Sequence, residues 1–332
     1  MRGTRPGRRT AASRATALTI SLLAGGVACA GTAPVVPTQA TSKATATTTT
    51  PSTTATATAN PAPGEARARR ELRALEASFK GRIGAYAVDT ATGRTVSYRS
   101  GERFPLLSTF KAVAAAAVLH RARVSDPGLM KKVVRWTTAD LKENSPITAE
   151  HVKDGMTVAG LCEAAVTHSD NTAGNLLLRR IGGPAGLTRY FRALKDPISR
   201  LDRWETELND WSPGERRDTT TPASMGRDLR ALTVGNALDA RDRERLNAWL
   251  TASTTGAARI RAGLPKTWRV GDKTGTSSAY GAANDIAVVR PGGPAAPVVM
   301  AIYTDRGAAD APVDNAIVAE TATVLARGLG RL

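Results

Sequence analysis

The sequence of 332 residues is poor in cysteine, histidine and aromatic residues, and it has no long apolar run. Its two cysteines, Cys29 and Cys162, exclude a framework of several disulfides. If Cys29 is cleaved off or acylated, Cys162 is left without a partner and reads as a small buried apolar residue. His120, His151 and His168 match no zinc-ligand spacing, so neither a metal nor any other cofactor is expected. Aromatic residues make up 4% against 42% apolar residues overall, with alanine and leucine dominant, which predicts an aliphatic, helix-rich core. No stretch approaches the ~20 apolar residues of a membrane-spanning helix.

Charge is present in excess of one sign and is unevenly placed. Of a formal net charge of +17, Arg2, Arg5, Arg8, Arg9, Arg14 and Lys43 stand unopposed before residue 64, which leaves +11 on residues 64–332. Such a surface favours anionic ligands or an anionic cell envelope. Nucleic acid is not expected as a partner. The run Arg241-Asp-Arg-Glu-Arg245 interleaves its charges like a solvated helix face, and no nucleic-acid motif occurs.

Residues 1–30 read as an export signal. A basic stretch ending at Arg14 precedes the apolar run Ala15 to Ala28, and Ala28-Cys29-Ala30 offers small residues for cleavage. The protein is therefore expected to be secreted. A lipid anchor at Cys29 is the weaker reading, because Gly26 stands where a large aliphatic residue is needed. The pair Arg8-Arg9 is not followed by the rest of a twin-arginine signal. Residues 31–64 are nearly all Ala, Thr, Pro and Ser, which predicts a disordered tether. The folded domain is expected over 65–332.

Within that domain, Leu72, Leu75 and Phe79 space like one face of a helix over 65–80. Ile83 to Val88 and Thr95 to Tyr98 read as a hairpin around Asp89-Thr-Ala-Thr-Gly93. Residues 106–253 are mostly helical in pattern, with long loops over 135–160 and 196–222. Strands return at Arg269 to Thr276, Asp285 to Val289 and Pro297 to Tyr303, and a last helix spans about 313–329. Strands at both ends with helices between them predict an α+β fold. Its antiparallel sheet is built from both termini (about 65–105 and 254–332), with a helical part inserted.

Three short motifs could carry chemistry. Ser108-Thr-Phe-Lys111 opens an alanine-rich helix, so Lys111 lies one turn from Ser108 on the same face. A serine hydroxyl becomes a nucleophile beside a proton acceptor, and a helix N-terminus favours developing negative charge. Alone, Ser108 reads as an N-cap. Ser169-Asp170-Asn171 precedes a second helical run and alone reads as a capping turn. Functionally, Ser169 offers a proton for a leaving nitrogen, and the Asn171 amide offers a hydrogen bond to a substrate carbonyl. Lys273-Thr274-Gly275 sits in a predicted strand followed by Thr276. Lys273 with the Thr274 and Thr276 hydroxyls suits a carboxylate, and Gly275 permits close approach of a ligand. Alone, this motif reads as an edge strand bearing a surface lysine.

In this order the three motifs resemble those of class A serine β-lactamases and penicillin-binding proteins, and the resemblance spans nearly all of residues 65–332. Residues Leu201 to Asn209, with the stretch to Asp218-Thr-Thr-Thr-Pro222, resemble the class A Ω loop. The resemblance implies hydrolysis of penicillins and cephalosporins through an acyl-enzyme on Ser108, giving antibiotic resistance. It also implies proton transfer through Ser169 and a deacylating water held by Glu205 and Asn209. Either Lys111 or Glu205, acting through water, is implied as the base for acylation. The oxyanion is implied to lie between the Ser108 and Thr276 N–H groups, and Arg203 with Asp218 to close the loop's neck. A monomer acting on a small-molecule β-lactam is expected.

The match departs in places. Thr206 stands where many relatives have a proline after a cis bond. Ala282 and Ala283 occupy the region of a carboxylate-binding arginine, for which Arg259 is the leading replacement, ahead of Arg241, Arg290 and Arg306. Asn144 replaces an aromatic residue at the entrance. Ala115 stands where some relatives have the disulfide partner of a cysteine like Cys162. The competing readings are a D,D-peptidase and a β-lactam receptor that stays acylated. The Glu205 loop argues against both.

Overall fold

A computed structural model describes residues 63–332, so the expected export signal, all but the end of the expected tether, and Cys29 lie outside the described residues. Helix α1 (Pro63–Phe79) begins two residues before the expected domain start. Strands β1 (Gly81–Asp89) and β2 (Thr95–Tyr98) form the expected hairpin, which turns through Gly93 at φ 73°. The short β3 (Phe104–Pro105) leads into α2 (Phe110–Val124). Next come β4 (Val133–Val134), the short α3 (Pro146–Glu150), β5 (Met156–Thr157) and α4 (Val158–Thr167). Helices α5 (Asn171–Ile181) and α6 (Gly183–Ala193) follow. The chain then runs to β6 (Thr219–Thr220), interrupted only by a 3-10 turn at Glu207–Asn209. The remainder comprises α7 (Pro222–Thr233), α8 (Ala240–Thr251), β7 (Arg269–Thr276), β8 (Ala283–Arg290), β9 (Val298–Arg306) and α9 (Asn315–Gly328).

The fold is the α+β arrangement expected. A five-stranded sheet has the order β2-β1-β9-β8-β7 and is antiparallel throughout. Pairing of β1 with β9, for example Ile83 with Thr304, joins the two ends of the domain. The sheet is covered on both faces, and strand periodicity divides the core accordingly. Along β9, Val299, Ala301 and Tyr303 join the helical side, whereas Val298, Met300 and Ile302 pack with α1 and α9.

On the helical side α2 is the centre. Ala112 to Leu119 are all buried, so this helix is apolar on every face, as a helix enclosed by others must be. Its alanines allow close packing, and its N-terminal end faces β7. The edge position of β7 leaves that strand's outer side unpaired, next to the start of α2. Cys162 of α4 is a free, fully buried thiol whose pKa burial pushes up. No helix among the described residues is long and apolar enough to cross a membrane.

Candidate active site

The start of α2, the turn before α5, the edge of β7 and the loop over 196–222 converge on one cleft. Gly275 permits the approach of β7 to α2. A Cβ there would lie 2.9 Å from Leu107 Cβ and 3.1 Å from the Ser108 nitrogen. Leu107 adopts φ 46°, and a 3-10 turn (Leu107–Thr109) precedes the helix. Ser108 makes no capping hydrogen bond, so the N-cap reading of this serine fails.

Lys111 is fully buried and donates to Ser108 Oγ (2.9 Å), to the Ser169 carbonyl (2.8 Å) and to Asn171 Oδ1. It also pairs with Glu205 Oε1 at 2.9 Å. Ser108 Oγ in turn donates to Glu205 Oε1 at 3.3 Å. Burial lowers the Lys111 pKa, opposed by Glu205 and Asp170. Gly174 makes room for the ammonium stem, since a Cβ there would lie 2.9 Å from Lys111 Cε.

The Ser-Asp-Asn turn serves both of its readings. Asp170 caps α5 through the Ala173 N–H (2.8 Å) and also accepts from the Ile147 and Thr148 N–H groups. Ser169, held at φ 59°, and Asn171 project into the cleft side of this turn, where Lys111 and Lys273 reach them. Asn171 Nδ2 donates to the Glu143 carbonyl.

Lys273 is fully buried, which excludes the surface-lysine reading. It donates to Ser169 Oγ (3.0 Å) and to the Thr274 carbonyl (2.7 Å). Burial first, then the charge of Lys111, brings its pKa down to about 7. Thr274 is buried and shares a hydrogen bond with Thr255 (2.6 Å), while Thr276 is exposed at the strand's end. Arg259 reaches the same strand. It donates to the Gly275 and Asn284 carbonyls and, at 2.7 Å, to Thr276 Oγ1. Ala282 and Ala283 are fully buried.

On the loop, Glu205 is fully buried and the Glu205–Thr206 bond is cis. Asn209 Nδ2 donates to Glu205 Oε2 at 2.8 Å, and its own buried Oδ1 has no partner among the described residues. Arg203 pairs with Asp218 at 2.6 Å, and Asp218 also accepts the Asp202 and Arg203 N–H groups. One residue here escaped the sequence reading. Asn175 donates to the Glu205 carbonyl (2.8 Å) and accepts its N–H (2.9 Å), fixing both main-chain groups. The available signal was helical spacing, since Asn175 lies one turn beyond Asn171 on the same face of α5. Among the described residues, no group of three or more His, Cys, Asp or Glu side chains is placed to hold a metal.

Comparison with known proteins yields four findings of note. A model of the β-lactamase enzyme family matches residues 67–327. The β-lactamase AST-1 of Nocardia asteroides is 53% identical over 256 residues, covering 77% of this chain and 82% of that protein. The crystal structure of a β-lactamase from Streptosporangium roseum shares 78% identity and superposes with a TM-score of 0.80, covering 80% of this chain and 100% of that one. A mutant of the last common ancestor of Gram-negative bacteria β-lactamase class A shares 49% identity with a TM-score of 0.76, over 79% and 98% of the two chains.

Proposed function

The chain belongs to the β-lactamase enzyme family, as a class A serine β-lactamase that hydrolyses β-lactam antibiotics, and from that premise we propose how its side chains divide the work. Ser108 is the nucleophile. The observation that carries this assignment is the sharing of one hydroxyl between a buried cation and a buried carboxylate, Lys111 at 2.9 Å and Glu205 at 3.3 Å. In that arrangement the Lys111 ammonium is a donor, so the proton of Ser108 passes to Glu205, directly or through one water. Attack on the lactam carbonyl forms the Ser108 ester and breaks the C–N bond. The nitrogen leaves with a proton from Ser169, which Lys273 and Lys111 hold in place, and the proton taken up by Glu205 returns through Lys111 to Ser169, so that Glu205 is a carboxylate again before deacylation.

Binding falls to the unpaired edge of β7. Gly275 and Thr276 lie beside the start of α2, so the Thr276 and Ser108 N–H groups form an oxyanion site. A donor of this kind contributes ~10²–10³ in rate. Lys273, with the Thr274 and Thr276 hydroxyls, takes the substrate carboxylate, and Arg259 orients the Thr276 hydroxyl and adds positive charge. The Asn171 amide faces the substrate's side-chain amide. Deacylation uses a water between Glu205 Oε2 and the unpartnered Asn209 Oδ1, and Glu205 takes its proton. A D,D-peptidase or a stably acylated receptor has no use for such a pair.

The protein acts as a monomer on a small molecule, without nucleic acid, and residues 1–30 direct it out of the cell, where its substrates are met. The test is a turnover count with a chromogenic cephalosporin. Many turnovers per protein are expected, and Ser108→Ala abolishes both turnover and covalent labelling. A single stoichiometric burst would make the protein a receptor.

A further inference from the structure

Where the Ω loop turns back after Asn209, it meets the turn that joins β7 to β8. Trp211 stands edge-on to Tyr280, with ring centroids 5.8 Å apart and ring planes at 81°. The tryptophan belongs to the loop that carries Glu205, and the tyrosine follows the strand end that carries Thr276. The mechanism above uses neither of them.

Trp211 is the inner anchor of its limb. Of residues 209–217 it alone is buried, at 4% exposure. The main-chain hydrogen bonds of this limb stay within the loop. The Asn209 N–H donates to the Thr206 carbonyl (3.0 Å), the Asp210 N–H to the Glu207 carbonyl (3.1 Å) and the Glu215 N–H to the Ser212 carbonyl (3.0 Å). Arg203 Nη1, also of the loop, donates to the Asp210 carbonyl. The ring N–H of Trp211 has no acceptor among the described residues, so packing and not hydrogen bonding fixes the ring. Edge-to-face aromatic pairs are favourable beyond the area they bury.

Tyr280 is presented from a fastened turn. The Ser277 N–H donates to the Ala282 carbonyl (3.0 Å) and closes the turn, and the Tyr280 N–H donates to the Ala309 carbonyl (2.9 Å) beyond β9. Tyr280 itself is held at φ 57°, in the left-handed region that a tyrosine rarely adopts. The next residue must be small: a Cβ on Gly281, at φ 54°, would lie 2.6 Å from the Pro312 carbonyl oxygen. The tyrosine is therefore the fixed half of the contact and the tryptophan the half that a free loop could move.

Trp211 is tied in turn to Asn209. Its N–H donates to the Asn209 carbonyl at 2.9 Å, which makes residues 209–211 one tight turn, and the Asn209 side chain holds Glu205 Oε2 at 2.8 Å. We infer that the Trp211–Tyr280 contact clasps the Ω loop to the β7–β8 turn and sets where Asn209 stands, so that both aromatic residues are positioning residues for deacylation. This inference rests on the role proposed for Asn209.

The test follows the Ser108 ester by rapid-quench mass spectrometry after a pulse of benzylpenicillin, which gives its rates of formation and release separately. Tyr280→Ala removes the fixed ring from a half-buried position. It should slow release roughly three- to tenfold, the share of competent loop that an aromatic pair can hold, with ester formation little changed. Tyr280→Phe keeps the ring edge and should restore wild-type release. A merely structural role would lower Tm or the active fraction and leave the first-order rate of release as it is. In a Trp211→Leu background, which has already lost the contact, Tyr280→Ala should slow release no further. Wild-type release in Tyr280→Ala, equal slowing of both steps, or undiminished slowing in the Trp211→Leu background would each overturn the clasp. Asn209→Ala separates this failure from that of the underlying reading. Slow release in Asn209→Ala beside wild-type release in Tyr280→Ala sinks the clasp alone, whereas wild-type release in Asn209→Ala removes the role of Asn209 and the clasp with it.

Discussion

The five-stranded sheet and the Ω loop are held by opposite means. The sheet buries apolar side chains on both faces, and its ladder runs through nine paired positions between β1 and β9 alone. Each large aliphatic side chain there contributes about 1.5–3 kcal/mol through burial, so no single residue decides the fold. The loop over 196–222 has little regular structure and is fixed by a few polar contacts. Among them are Arg203 with Asp218, and Asn175 with both main-chain groups of Glu205. The sheet therefore governs stability through many small contributions, whereas the loop that carries Glu205 rests on a few.

The sharpest way to test that division is to compare two truncations. Glu205→Ala removes the proton acceptor proposed for deacylation and should lower turnover by ~10²–10⁴-fold, with the penicilloyl ester visible by mass spectrometry. Its Tm should fall little, because the loop's anchors remain. Ile302→Ala, in fully buried β9, should cost about 2–5 kcal/mol in denaturant unfolding while leaving kcat of the folded protein unchanged. If Ile302→Ala slowed turnover as much as it destabilised the protein, sheet and loop would not be separable.

The same contrast explains what was legible in the sequence. The strand at Arg269 to Thr276 has the bounds expected, and the β1–β2 hairpin and α9 lie within a few residues of theirs, because apolar periodicity and turn residues are local signals. Ser108, Lys111, Ser169 and Lys273 were legible through the order of three motifs and the family that this order resembles, since each motif alone also reads as a cap or a surface lysine. Two features were not. The burial of Lys273 sets β7 against the 3-10 turn before α2 and against Ser169 of the turn before α5, segments far apart in the chain that no local pattern joins. The hold of Asn175 on Glu205 joins residues 30 apart in the chain. Long-range polar contacts carry no periodicity, so they emerge only once the chain is folded.

A smaller effect is expected at the loop's anchor. Asn175→Ala leaves the Glu205 N–H and carbonyl without partners in a buried setting, at a cost of about 1–3 kcal/mol. That cost should appear mainly as slower deacylation, read from ester accumulation, with acylation by a chromogenic cephalosporin less affected. Equal slowing of both steps would show that Asn175 supports the whole cleft and not the loop alone.

The smallest effect belongs to the sheet side of the cleft, where Lys273 is proposed to meet the substrate. Its pKa of about 7 means that the ammonium is lost as the pH rises through neutrality in the free enzyme. A bound carboxylate stabilises the ammonium and moves that titration to higher pH, so the change should appear in kcat/KM and not in kcat. Replacing a charge-assisted hydrogen bond by a neutral one forfeits about 1 kcal/mol, or roughly fivefold. For a carboxylate-bearing penicillin, kcat/KM should therefore fall by about that factor between pH 6 and pH 8.5, with kcat level. Lys273→Arg keeps its charge throughout this range and should flatten the profile. If the wild-type profile is already flat, burial does not discharge Lys273, and the strand wall, unlike the loop, is insensitive to protons.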